Sequence, residues 1–195
     1  MKYVDNISEL ANLLPDYIGF IFYHKSPRYI ENLEPEYLSG IPASIQKVGV
    51  FVNENIYTVL EIAFRYQLSL VQLHGDESPE YCAEIKRAGF PIIKTFSVKS
   101  KKDFNNCLSY EEICDFYLFD TKNELRGGSG EKFNWELLKH YNGKTPFFLS
   151  GGIEAEDKEI LRQFRHLYFY GIDLNSRFEI EPGIKNIQKL KQLIE

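Results

Sequence analysis

Seven short apolar runs, most followed by a polar or glycine-bearing turn and then a stretch with helical spacing, set the limits on what this chain can fold into. They are YIGFIF (17–22), KVGVFV (47–52), LSLVQL (68–73), PIIKTFSV (91–98), FYLF (116–119), TPFFLS (145–150) and LYFYGIDL (167–174). Most are continuously apolar rather than alternating, as in strands buried on both faces of a helix-covered parallel sheet. Between them, Ile7, Leu10, Ala11 and Leu14 fall at i, i+3, i+4 and i+7, with Asp5 or Asn6 placed to cap the start. ENIYTVLEIAFRYQ, SPEYCAEIKRAG and NWELLKHYNG follow the same spacing, and two of these end at a glycine suited to terminate a helix. Ile184, Ile187, Leu190 and Leu193 stripe a last helix.

This strand–helix rhythm leaves two architectures, an open doubly wound sheet or a closed (β/α)8 barrel. The glycine fingerprint of dinucleotide-binding sheets, G-x-G-x-x-G after an early strand, is missing. Polar and glycine signals instead follow nearly every run: HKSPR, NEN, HGDE, DTK with GGSG, SGG and NSRFE. Function spread over all strand C-termini belongs to the barrel. The expected fold is therefore α/β, a (β/α)8 TIM barrel in one domain over residues 1–195, with seven strands visible and a helix at the start. At 44% hydrophobic residues the chain fills one core, and no linker divides it.

A net charge of −5 argues against nucleic acid or an anionic membrane surface as partner. It leaves room for a phosphorylated small molecule, which a few local donors bind. Cys82, Cys107 and Cys114 form no CxxC pair and no zinc spacing. So sparse and odd a set suits a reducing compartment. Without a signal-peptide core or a bilayer-length apolar stretch, a cytoplasmic location is expected.

The run FYLF stops on Asp120, and the polar stretch after it delivers Gly127, Gly128, Ser129 and Gly130. Glycine-rich turns that open a helix expose backbone N–H groups to anions. Ser150, Gly151 and Gly152 after the sixth run, and Asn175 and Ser176 after the seventh, form two more donor sets, and barrels build phosphate sites from their late loops. Asp120 serves as a general acid if desolvation and a nearby anion raise its pKa from about 3.9. Arg28, with His24 and Lys25 in HKSPR, reads either as part of a solvated basic loop or as a fork for a planar carboxylate. His74, closing VQLH before Gly75, reads either as a turn residue or as a hydrogen-bond donor at the barrel mouth. No metal-ligand spacing surrounds it.

Together GFIFYHKSPRY, KVGVFVNE, VQLHGDE, FDTK with GGSGEKFNW, FLSGGI and GIDLNSRFEIEPGIK closely resemble the phosphoribosylanthranilate isomerases of tryptophan biosynthesis, in order over almost the whole chain. The resemblance implies an Amadori rearrangement of N-(5-phosphoribosyl)anthranilate to 1-(2-carboxyphenylamino)-1-deoxyribulose 5-phosphate, with no metal and no cofactor, and the chain is expected to be a monomer. It implies that Asp120 is the general acid, that Arg28 holds the anthranilate carboxylate, and that His74 and Asp173 line the mouth. The glycine loops and Asn175-Ser176 would take the phosphate.

The resemblance also implies a first strand ending in Lys-(Ile/Val)-Cys-Gly, whose cysteine is the base, and this chain begins at MKYVDNISEL without it. The three cysteines present are expected outside the barrel mouth. The expectation is then a true start roughly seven to ten residues upstream, about a strand's length, and slow turnover for the chain as it stands. The alternatives are a non-catalytic phosphosugar-binding barrel, or another sugar-phosphate barrel enzyme such as an indoleglycerol-phosphate synthase or an epimerase.

Overall fold

The computed structural model describes residues 1–31, 33–121 and 135–194. In chain order it contains α1 (Val4–Ala11), β1 (Tyr17–Ile21), β2 (Gln46–Phe51), α2 (Ile56–Arg65), β3 (Leu70–Leu73), α3 (Pro79–Arg87), β4 (Ile92–Val98) and β5 (Phe116–Thr121). Then come β6 (Phe147–Leu149), α4 (Lys158–Gln163), β7 (Phe169–Ile172), β8 (Glu179–Glu181), β9 (Ile184–Lys185) and α5 (Ile187–Ile194). Strands β1 to β7 pair in sequence order, every pair parallel. Among the described residues no helix is long and apolar enough to cross a membrane.

The sheet curls until its ends meet. The hydroxyls of Tyr17 on β1 and Tyr170 on β7 lie 3.1 Å apart, and Phe148 on β6 packs edge-on against both rings. Between β7 and β1 no backbone ladder forms among the described residues, so these aromatic rings make the join.

Alternation along each strand separates two cores. Val48, Leu70, Ile93, Leu118 and Phe148 fill the inside of the curl with Tyr17 and Phe116. Their neighbours Ile92, Tyr117 and Phe147 point outward into a larger core with Val59 and Ala63 of α2, Ile85 of α3 and Leu190 of α5. The apolar runs are continuous because each face has its own core. Full burial of one such side chain stabilises by about 1.5–3 kcal/mol.

Two helices carry side-chain caps: the Asn55 side chain accepts from Tyr57 N–H at the start of α2, and that of Ser78 accepts from Tyr81 N–H at the start of α3. Gly89, at φ +96°, ends α3. Gly143, expected to do the same, is not left-handed and lies past a 3-10 helix over Trp135–His140.

Two local expectations fail. Helix α1 starts after Tyr3 with no side-chain cap. Asn6 is instead buried, donating to Lys185 O at 3.0 Å and accepting from Lys185 N–H at 2.7 Å. A buried amide needs partners, and the backbone of β9 supplies them. Ile184 belongs to β9, in a short antiparallel hairpin with β8, and the last helix begins only at Ile187. Its spacing to Ile187 imitates a helical turn although a hairpin intervenes.

Candidate active site

The strand C-termini open onto one mouth, and the sheet register decides which side chains meet there. Leu73 pairs with Lys94, which brings His74, the next residue, beside Thr95. His74 Nδ1 lies 3.1 Å from Gln72 Nε2 and 3.2 Å from Thr95 Oγ1. Ser97 pairs with Asp120, the penultimate residue of β5. His74 Nε2 faces Asp120 Oδ2 at 3.9 Å, with the two side chains 17% and 14% exposed. Both line a cavity of about 330 Å³, within the size range of small-molecule sites.

A buried ion pair seats the loop that carries His74. Lys94 Nζ donates to Glu77 Oε2 at 3.2 Å and to the carbonyls of Gly75, Leu73 and Thr95. The Glu77 carboxylate also accepts from the backbone N–H groups of Asn53 and Gly75. Both side chains are almost fully buried, at 3% and 2% exposure. Gly75 is required by close approach rather than by a left-handed turn, since a Cβ there would lie 2.2 Å from Asn53 Oδ1. The pair escaped the sequence reading. Its one signal was a lysine inside the apolar run PIIKTFSV, a position that burial forbids without an acid.

Arg28 and the more exposed Lys25, in the loop after β1, line the same cavity, whereas the exposed His24 does not. Arg28 Nε and Nη2 donate to the Glu179 carboxylate at 2.7–3.0 Å. That edge of the guanidinium is taken by the protein itself, so a ligand carboxylate would be received by the Nη1/Nη2 edge. Lys185 Nζ donates to Leu174 O and Asn175 Oδ1 and lies 3.5 Å from Glu179. Burial works to raise the Glu179 carboxyl, but the Arg28 hydrogen bonds and the neighbouring cations hold it below its usual range. Burial lowers Lys185, against the pull of Glu179 and Asp173. Asp173 is pushed up by desolvation, opposed by Lys185 and by the Ser150 hydroxyl, which donates to it at 3.2 Å.

Ser150, Gly151, Gly152, Asn175 and Ser176 line this cavity too. Gly151 and Gly152 adopt φ of +93° and +66°, the region glycine enters without a Cβ penalty, so the backbone after β6 turns at the mouth. Gly127, Gly128, Ser129 and Gly130 lie outside the described residues. The family model described as N-(5'phosphoribosyl)anthranilate (PRA) isomerase matches residues 1–195. The chain belongs to this family. An N-(5'-phosphoribosyl)anthranilate isomerase of Parabacteroides distasonis is 48% identical over the whole chain, which spans 89% of that relative. The crystal structure of phosphoribosyl anthranilate isomerase from Thermus thermophilus superposes with a TM-score of 0.86 at 27% identity, covering 99% of this chain and 92% of that one. A PRA isomerase in complex with reduced 1-(o-carboxyphenylamino)-1-deoxyribulose 5-phosphate gives 0.81 at 29% identity, covering 100% and 93%.

The PRA isomerase resemblance asked for a cysteine base, and the three thiols lie elsewhere. Cys82 on α3, Cys107 in the 3-10 helix Lys101–Tyr110 and Cys114 before β5 are all buried in the outer core, and none lines the cavity. Burial pushes Cys107 up to about 12, and the hydrogen bond that Cys114 donates to Cys82, together with burial, raises Cys114. Neither is a thiolate near neutrality.

Proposed function

We propose that this chain binds N-(5-phosphoribosyl)anthranilate in the cavity and isomerises it to 1-(2-carboxyphenylamino)-1-deoxyribulose 5-phosphate, the Amadori step of tryptophan biosynthesis. One observation carries the reading: an acid at the end of β5, a guanidinium after β1 and two late loops with glycine or hydroxyl donors all face a single cavity of about 330 Å³.

Asp120 donates its proton to the ribose ring oxygen, and the C1–O bond breaks to leave an iminium between C1 and the anthranilate nitrogen. Loss of the C2 proton gives an enolamine, and protonation at C1 with loss of the C2 hydroxyl proton gives the ketone, so no hydrogen is gained or lost overall. The bound phosphate and carboxylate keep Asp120 protonated before transfer, since nearby anions raise a carboxyl pKa. Ser150-Gly151-Gly152 and Asn175-Ser176 take the phosphate, with Gly127, Gly128, Ser129 and Gly130 assigned to it from sequence alone. The Nη1/Nη2 edge of Arg28 takes the carboxylate, and Asp173 orients Ser150. Three free thiols suit the reducing cytoplasm.

Removal of the C2 proton has no thiol to perform it in this cavity. Turnover is therefore expected about 10²–10⁴-fold below that of the Parabacteroides relative, the usual share of one acid–base group. Chromatographic detection of the ketose with both proteins side by side measures this. Product at the relative's rate would assign the base to a residue other than cysteine. Binding of the reduced product analogue without any product would support a phosphosugar-binding barrel instead. Failure of both binding and turnover would remove the isomerase reading.

Arg28→Lys keeps a cation for Glu179 but removes the second edge of the fork. Affinity for the anthranilate-bearing analogue is expected to fall about 10–100-fold, the worth of one charge-assisted hydrogen bond, with ribulose 5-phosphate nearly unaffected in the same titration. Equal losses for the two ligands would mean that Arg28 reads something other than the carboxylate.

A further inference from the structure

Gln72 and Thr95 have no part in the reaction as described, yet both end on the same ring nitrogen of His74. We infer that they are positioning residues that fix the tautomer of His74, so that Nε2–H faces the Asp120 carboxyl as a donor. The inference rests on Asp120 being the proton donor for its catalytic consequence, though not for the tautomer itself.

Strand geometry brings the three side chains together. Gln72 on β3 and His74 just past its end stand two residues apart, so both face the inside of the sheet. The register places Thr95 of β4 beside the same ring. Gln72 and Thr95 are buried, at 8% and 7% exposure, so solvent has little access to them. The Gln72 amide nitrogen lies 3.1 Å from Nδ1, and an amide NH2 only donates. Nδ1 must then present its lone pair. The Thr95 hydroxyl, 3.2 Å from the same atom, joins as a second donor to it. A neutral imidazole carries a single N–H, which is left on Nε2, and that atom is the one 3.9 Å from Asp120 Oδ2.

The chemical effect follows the proton. While Asp120 is neutral, the separation of 3.9 Å costs little, because little charge is present. Once Asp120 has protonated the ring oxygen, the new carboxylate faces an N–H in a largely water-excluded site, where such a donor is worth most. The opposite tautomer would aim a lone pair at the same anion. Gln72 and Thr95 thus act on the reaction through His74 without touching the substrate. The polar residue that interrupts LSLVQL inside the barrel has this as its reason to be there.

Two-bond 1H–15N correlation spectra of protein labelled at histidine nitrogen read the tautomer directly. The chain has four histidines, His24, His74, His140 and His166, and the His74 signals are those lost in His74→Gln. Above the ring pKa the unsubstituted protein is expected to show a protonated Nε2 and a bare Nδ1. Gln72→Glu exchanges the donor for an acceptor at nearly constant shape, and is expected to protonate Nδ1. It should lower kcat by about 10²-fold, the cost of losing one donor to a developing anion, with KM little changed, while Thr95→Ser keeps both the spectrum and kcat.

A protonated Nδ1 in the unsubstituted protein, or a bare one in Gln72→Glu, overturns the inference. So does a fall in kcat in Thr95→Ser equal to that in Gln72→Glu. Where Gln72→Glu does not fold, Gln72→Met combined with Thr95→Val removes both donors. The His74 signals should then become those of a tautomer mixture, and an unmixed Nε2–H pattern overturns the inference. The spectra need no turnover, so failure here is distinguishable from failure of the isomerase reading.

Discussion

Asp120→Asn lowers kcat by about 10²–10⁴-fold and leaves binding of the reduced product analogue close to that of the unsubstituted protein. Asparagine keeps the shape of the side chain and an oxygen for His74 Nε2–H, but it has no acidic proton for the ring oxygen. The substrate still meets the same Arg28 edge and the same late loops, which share the cavity with Asp120 but sit on other strands. A loss confined to kcat marks a group used only in the transition state. Single-turnover rates with enzyme in excess, beside calorimetric titration of the analogue, separate the two quantities. A kcat equal to that of the unsubstituted protein would take Asp120 out of the mechanism, and a parallel loss of affinity would make it a binding residue.

Lys94→Met destabilises the protein by about 3–5 kcal/mol, the usual cost of leaving one partner of a buried ion pair uncompensated. At about 2–4 °C per kcal/mol for a chain of this size, the melting temperature should fall by about 6–20 °C. The Glu77 carboxylate left behind is 2% exposed and, among the described residues, keeps the backbone N–H groups of Asn53 and Gly75 as donors for its charge. Replacing both members, as Lys94→Met with Glu77→Leu, should recover part of the loss, because a dry apolar pair costs less than a lone charge. Thermal melts of the single and double variants measure this. A single-variant shift below about 2 °C, under 1 kcal/mol by the same conversion, would show that solvent reaches the site and that the pair does not seat the His74 loop.

The strands were legible from sequence because burial on both faces leaves a mark that needs no partner: an unbroken apolar run. The acid was legible for a related reason, since Asp120 ends such a run. What escaped depends on register and on residues distant in the chain. Arg28 meets Glu179 across 151 residues, and nothing in HKSPR foretells that a carboxylate of the same chain takes half the fork. The Glu77–Lys94 pair needs β3 and β4 aligned before it exists. The hairpin at Ile184 was read as helix because i, i+3 spacing alone does not distinguish a continued turn from a strand end. Asn6, read as a cap, is claimed instead by the backbone of Lys185, 179 residues away.

The meeting of Tyr17 and Tyr170 divides the labour of the molecule. Rings in contact slide at little cost, whereas the six registered pairs of β4 with β5 shift only by breaking hydrogen bonds together. The loop bearing Arg28 leaves β1 and the residues around Asp173 leave β7, so two parts of the cavity lining flank this join. Asp120 stands in the stiff middle of the sheet, between β4 and β6. Substitutions near the tyrosines are expected to alter the Arg28 and Asp173 side of the cavity and to leave the position of Asp120 unchanged.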